Sequence, residues 1–450
     1  MRAWAEKIDK YVYYMLLFTV AIIPLQQELA SGCMNITFLA ALFVAYYKGR
    51  QQEKVLHNWE QWVLYGLLGV AVFSLSFSGD PFVSAWNLVY AAGQYGGLVY
   101  VLLRYGWQEQ KPLTLYVQED PTLAGNVAYN YIKSKSWNDS KIGRSLQLYF
   151  RLPRPLQLIG AFLMVAVLVS SLGIMQKFLG VVADSIWSDP DEFPELKIRV
   201  YSTLVNPNIL AGYLVLVIAY CCSFFHILKN HRITRYGCLI LGLLAALCLL
   251  YTYSRGNWLA CGFALLIFAC FYCHRAIFPI AGAAAAAVVI GGNAVIHRLT
   301  SIVSGEDTSA ALRLAYLEGT QAMIEEHPWG VGWFGYRYAF PDYNFYLDDK
   351  NVIMYHCHNI FLNVWSELGF HGFLLFMTIL ITFIYTAARL SCRGKTQWLK
   401  AMGTGYVLAA SGIIIGGLTD HIYFNTQMGM LFWLFGCLNF VCRKLNEHNN

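Results

Sequence analysis

The stretch "MYHCHNIFLNVWSELGFHGFLLFMTILITFIYTAARL", residues 354–390, changes character within a few positions. Two histidines flank a cysteine, and from Ile360 the chain is predominantly apolar through Ala388. Roughly 20 consecutive apolar residues are enough to cross the hydrocarbon core of a bilayer as a helix. Residues 360–388 therefore read as a transmembrane helix, with His356, Cys357, His358 and Asn359 at its polar mouth. The stretch thus poses two questions: how often the apolar pattern recurs, and whether the histidines hold a metal or do chemistry.

The pattern recurs from end to end. Hydrophobic residues make up 57% of the 450 and charged residues only 13%, about half the charged share of a soluble domain (~25%). Spans are expected near 11–27, 33–47, 60–78, 82–103, 155–175, 207–228, 235–253, 256–274, 276–296, 360–388, 399–418 and 425–442. The second is short enough to be re-entrant. The chain reads as an all-α polytopic membrane protein, a single integral membrane domain over residues 1–450. The first span is long and no convincing small-residue cleavage site follows it, so it reads as a span and not as a cleaved signal.

Lys and Arg accumulate in cytoplasmic loops. With the N-terminus inside, 24 of the 32 Lys and Arg fall on the inner side and 8 on the outer, which places both termini in the cytoplasm. The net charge of +6 follows from this bias, and no nucleic-acid partner is needed. Of the 12 cysteines only Cys33 and Cys357 fall on the outer side, too few for a disulfide framework. Residues 104–154 form a basic cytoplasmic loop, suited to lying on an anionic leaflet or to serving as a solvated connector. On the outer side, residues 297–359 form a long loop that is expected to carry a helix, because a structureless connection of that length is unusual. The segment "SAALRLAYLEGTQAMIEEH" supplies it, and Pro328, Gly330, Gly332 and Gly335 end it. The alanine run at 283–287 reads as a close-packing surface.

Five of the eight outer cations are arginine: Arg199, Arg255, Arg298, Arg313 and Arg337. Arginine suits bidentate phosphate binding. Arg255, in "YTYSRGNW", occupies a connection of very few residues between two apolar spans, either as a snorkelling side chain or as an anion site facing the bundle. Gly256 beside it would let a bound group approach closely. Arg199, Arg298 and Arg313 read either as solvated charges or as supports of that site. Asn206-Pro207-Asn208 reads structurally, with Asn206 as N-cap and Pro207 in the first helical position.

A zinc or copper site needs three or four ligands, and His356-Cys357-His358 offers at most three crowded ones, so no metal is expected. His358 and Asn359 stand at the outer, N-terminal end of their span, where free N–H groups favour an anion. His358, Leu362, Trp365, Gly369 and Gly372 would share a helix face, with the glycines letting a neighbour pack beneath the histidine. Glu367 is an intramembrane carboxylate in need of a partner. His358, an imidazole beside arginines, is a candidate general base for a hydroxyl. The residues alone thus reach an anionic, phosphate-bearing substrate meeting arginines and a histidine at the outer surface.

At this point the chain resembles the O-antigen ligase and polymerase superfamily. "HNIFLNVWSELGFHG" fits the ligase-type pattern of His, a short polar residue, nine residues, Gly, two residues, Gly, at His358, Asn359, Gly369 and Gly372. "NPNILAGYL", "TYSRGNWLA" and "RLAYLEGTQAMIEEHPWGVGW" are similar to family motifs and follow the family's order. The resemblance covers roughly residues 198–442, while the first half shares only its topology. It implies a GT-C-like fold of about twelve spans in the bacterial cytoplasmic membrane, with its active site on the periplasmic face. It also implies transfer of a glycan from undecaprenyl diphosphate to an acceptor hydroxyl, such as that of lipid A-core, without metal or cofactor. Arg255 and Arg313 would then bind the diphosphate and His358 would activate the acceptor, with Arg199, Arg298, Asn359 and Glu367 in support. Family polymerases often carry a glycine eleven residues after each paired arginine. Here Leu210 and Ile324 stand there, which favours a ligase. Similarity to a cyanobacterial branch once proposed to take up bicarbonate keeps a small-anion transporter open beside the ligase and the polymerase. The sugar, the acceptor and the oligomeric state are not legible.

Overall fold

The computed structural model describes residues 1–49, 54–107, 149–181, 198–304, 308–345 and 354–448; the side chains at 294, 298, 299, 301–304 and 308–310 are outside that set. Most of the basic loop expected at 104–154 therefore lies outside the described residues. What is described is helical. In chain order the helices are α1 (Arg2–Ile22), α2 (Gln27–Lys48), α3 (Asn58–Ser74), α4 (Pro81–Ala91), α5 (Gly97–Tyr105), α6 (Arg154–Leu179), α7 (Pro207–Ile227), α8 (Arg232–Tyr251), α9 (Arg255–Phe271), α10 (Ile277–Ser304), α11 (Thr308–Glu326), α12 (Ile360–Arg393), α13 (Gln397–Gly417) and α14 (Thr426–His448).

Among the described residues nine helices are long and apolar enough to cross a membrane, so the protein is an all-α polytopic membrane protein. Each of the twelve expected spans falls on a helix. The three outside the nine are α1, whose first half carries Arg2, Glu6, Lys7, Asp9 and Lys10, the pair α4–α5, joined by a π-helical turn at Ala92–Gly96, and α9, which is 17 residues long. The second span is not short: α2 runs 22 residues, with Gln26 capping its start and Lys48 in its last turn.

The centre of the bundle is made by α7, α13 and α14, which are buried along most of their length. Their small residues allow this: Gly405 lies against Tyr220 and Gly436 against Phe383. By contrast, α10 runs on the outside, with Ala283, Ala284, Ala285 and Ala286 exposed. The alanine run is therefore not a packing surface within this chain. The helix also continues past the expected span end to Ser304, bending at Gly292, whose φ is 56°.

Polar contacts mark the two ends. Near the termini, Lys48 meets Asp9 at 2.8 Å, the Tyr105 hydroxyl donates to Asp9 at 2.8 Å, and Arg443 donates to Glu60 at 2.7 Å. At the far end the α13–α14 connection, the start of α7 and the start of α12 come together. Over them lies a cap built from α11 and residues 327–345, with its own apolar core of Met323, Val331, Tyr336, Phe340, Tyr343 and Cys357. Trp333 ties this cap to the bundle, its amide donating to the Ser74 hydroxyl at 3.0 Å and its indole to Asn87 at 2.8 Å.

Candidate functional site

Helix starts build the site. Asn206 caps α7, its side chain accepting from the amides of Asn208 and Ile209, with Pro207 following at the first position. Asn359 caps α12 in the same way, accepting from Phe361 and Leu362, and its amide group donates to the Leu418 carbonyl at 3.3 Å. That last bond draws the end of α13 to the start of α12. Asp420, three residues beyond α13, thereby reaches His358: Nδ1 to Oδ1 is 3.0 Å. The other Asp420 oxygen accepts from Asn208 at 3.1 Å, and Asn208 in turn accepts from Arg199 at 3.1 Å. A continuous chain Arg199–Asn208–Asp420–His358 results.

The electrostatics of that chain are consistent. Burial alone would raise the Asp420 carboxyl, but the His358 hydrogen bond, with the charges of His358, His356 and Arg313, holds it well below the usual range. Asp420 is therefore ionised near neutral pH and accepts the His358 Nδ1 proton, leaving Nε2 as the basic nitrogen. Burial, then repulsion from His358, takes His356 down to about 4, and burial with His356 nearby takes His421 to about 3. Both rings are neutral at pH 7. Arg199 is buried, and burial followed by repulsion from Arg313 and Arg255 lowers it to about 10. His358 also stacks on Tyr316, with centroids 5.7 Å apart, and Tyr316 lies one turn along α11 from Arg313.

Several sequence expectations change. His358 does not share a helix face with Leu362, Trp365, Gly369 and Gly372. It precedes the α12 cap in a left-handed conformation, φ 55°, which a side-chain-bearing residue holds only when its surroundings enforce it. Gly369 does not admit a neighbouring helix under the histidine. It breaks α12 with φ 66°, and the cap backbone enters the break: the Val331 amide donates to the Ser366 carbonyl at 2.8 Å and the Gly332 amide to the Glu367 carbonyl at 3.0 Å. A Cβ on Gly369 would strike Trp329, and one on Gly330 would strike Glu367. Gly256 admits no ligand either, because its open side is filled by Thr419, beside Asp420. Glu367 finds its partner in the Tyr336 amide at 3.4 Å. The Arg298 side chain lies outside the described residues.

Cys357 points away from the histidines into the cap core, fully buried, with Sγ 3.2 Å from the Asn359 carbonyl. His356, His358 and Asp420 each offer a ligand atom within 4.8 Å of the others, so proximity alone would allow a cation. Their hydrogen bonds point elsewhere. His356 Nδ1 accepts the His358 amide at 3.3 Å and His358 Nδ1 meets Asp420 at 3.0 Å, so each of these nitrogens already has a hydrogen-bond partner.

His358, Asp420, His356 and His421 line one end of a cavity of about 2720 Å³. It runs between α2, α3, α4–α5, α12 and α14 to Val55, Lys54 and Gln61 near the opposite end of the bundle, and most of its lining is apolar. Arg199, Arg255 and Arg313 do not line it, although Asn208, which Arg199 holds, does.

Residues 240–377 match the family described as O-antigen ligase. That match supports membership of the O-antigen ligase superfamily. It runs from α8 into α12 and includes Arg255, Arg313 and His358, while Arg199 and Asp420 fall outside it. No curated protein matches the chain. A match to that family suggests a glycosyltransferase-like membrane enzyme. Sequence reading overlooked Asp420 and gave Asn208 only a structural place. The available signal was a lone carboxylate in "LTDHIYFN", at the boundary of two apolar spans, where a charge needs a partner.

Proposed function

We propose that the protein is a ligase-type glycosyltransferase of the cytoplasmic membrane, working on its outer face. It transfers a glycan from undecaprenyl diphosphate to an acceptor hydroxyl such as that of lipid A-core. The observation that carries this reading is the His358–Asp420 pair, 3.0 Å apart, lining an apolar cavity and joined to Arg199 through Asn208. Asp420 holds the imidazole with Nε2 free, so His358 can take the proton of the acceptor hydroxyl. The oxygen forms its bond to the anomeric carbon while the bond from that carbon to the phosphate oxygen breaks. The electron pair leaves with the diphosphate, whose charge Arg255 and Arg313 stabilise. Diphosphate is already a good leaving group, so the step requires no metal. Arg199 supports it indirectly, by fixing Asn208 against Asp420.

The test is release of undecaprenyl diphosphate from a lipid-linked glycan by the purified protein, wild type beside His358→Ala, with and without chelator. Release that depends on His358 and ignores the chelator is expected, and a single product in place of a ladder separates ligase from polymerase. Near-normal release by His358→Ala in a folded protein would remove the base assignment, and strong inhibition by chelator would restore the cation reading of His356, His358 and Asp420.

A further inference from the structure

We propose that Phe334, Tyr355 and Phe424 form the seat for a sugar ring of the acceptor, on the cavity side of His358. This inference rests on the glycosyl-transfer reading and deepens it. The three rings come from three separate segments: the cap turn after Gly332, the approach to His358, and the α13–α14 connection. Phe334 and Phe424 lie nearly parallel, 8° apart with centroids at 6.3 Å, and Tyr355 is 6.2 Å from Phe334 and 5.9 Å from Phe424. All three line the cavity, and Tyr355 and Phe424 remain 40% and 39% exposed, so ring surface is open to a ligand.

The cluster is held in place as a binding surface would be. Phe334 has a positive φ of 57°, a conformation that persists only where the surroundings impose it. The Arg337 guanidinium lies 4.9 Å from the Tyr355 ring centre and 5.6 Å from that of Phe334, bracing both. Aromatic residues of a membrane-interface belt face lipid, whereas these face a cavity that ends at the catalytic histidine. The occupant follows from chemistry. Sugars present a face of C–H groups to an aromatic ring and hydroxyls at their edge, and a pocket of rings with a few polar groups suits them. His356 supplies such an edge, its ring 5.1 Å from Phe424 and 4.6 Å from His358.

Position separates acceptor from donor. Displacement at an anomeric carbon brings the nucleophile in opposite the leaving group. Arg255 and Arg313, which take the diphosphate, do not line the cavity, so the hydroxyl that His358 deprotonates is assigned to the cavity side, where the aromatic rings stand.

Binding is measured without transfer, by saturation-transfer NMR of methyl β-D-glucopyranoside with the full chain in nanodiscs. Wild type and His358→Ala should both saturate the ring protons, Tyr355→Leu with Phe424→Leu should lose the signal, and Phe424→Trp should keep it. Kinetically, each leucine variant should raise acceptor KM about five-fold and leave donor KM unchanged. No signal in wild type, an undiminished signal in the leucine variants, or a rise in donor KM in place of acceptor KM would each overturn the proposal. Sugar binding that depends on the rings in a protein showing no transfer would keep the subsite and remove the ligase reading. Transfer with ring-independent binding would do the reverse.

Discussion

At the scale of single residues, Asp420 governs what His358 can do. Asp420→Asn keeps the size of the group, but its amide can donate to Nδ1 and favour the tautomer with Nε2 protonated, so the base is lost while the fold is kept. Transfer should fall about a thousand-fold with unchanged thermal unfolding, and a loss under ten-fold would mean that Asp420 does not set the tautomer. His356 gives a pH dependence of known sign. Its folded value near 4 lies below the ordinary 6.5, so between those values the unfolded chain binds a proton that the folded chain refuses. The stability from keeping this ring neutral is complete above about 6.5 and is lost progressively as pH falls toward 4. His421 acts in the same direction. Thermal unfolding at pH 7 and pH 5 should show a clear drop for wild type and a smaller one for His356→Asn, which retains an acceptor and does not titrate. Equal drops would place the sensitivity elsewhere.

At the scale of elements, the interruption of α12 organises the cap. Apolar periodicity reads residues 360–388 as one uninterrupted helix, and both halves are helical as expected. Only the φ of Gly369 and the insertion of residues 328–332 reveal the break. Gly369→Ala would place a Cβ against Trp329 in a backbone region that side chains avoid. It should cost about 1–3 kcal/mol and loosen the cap that carries Tyr316, seen as a lower unfolding temperature and earlier proteolysis between Glu326 and Tyr343. Wild-type behaviour in this variant would mean the helix can close at residue 369. The capping roles of Asn206 and Asn359 were legible, because an Asn before an apolar run satisfies free helix amides whatever surrounds it. Gly256 was not, since the group filling its open side, Thr419, comes from a connection far along the chain.

At the scale of the whole molecule, α2, α3, α4–α5, α12 and α14 border a cavity that reaches from His358 and Asp420 to Lys54, Val55 and Gln61, next in sequence to the Glu60 that pairs with Arg443. Its apolar lining suits the chains of a lipid-borne substrate, and with the acceptor on this flank Leu68→Trp should obstruct it midway. Transfer to a lipid-borne acceptor should fall about ten-fold, the effect of roughly 1.4 kcal/mol, while transfer to the same acceptor freed of its acyl chains stays constant; equal effects on both would exclude the cavity from lipid binding. The sequence by itself determined the membrane class and the helical spans, because hydropathy and local capping act over neighbouring residues. Only the tertiary structure decided that Asp420 orients His358, that Gly256 and Gly369 serve chain crossings, that Cys357 belongs to the cap core, and that three distant aromatic rings meet beside the site. Those contacts join segments separated by tens to hundreds of residues, and their geometry exists only once the bundle has closed.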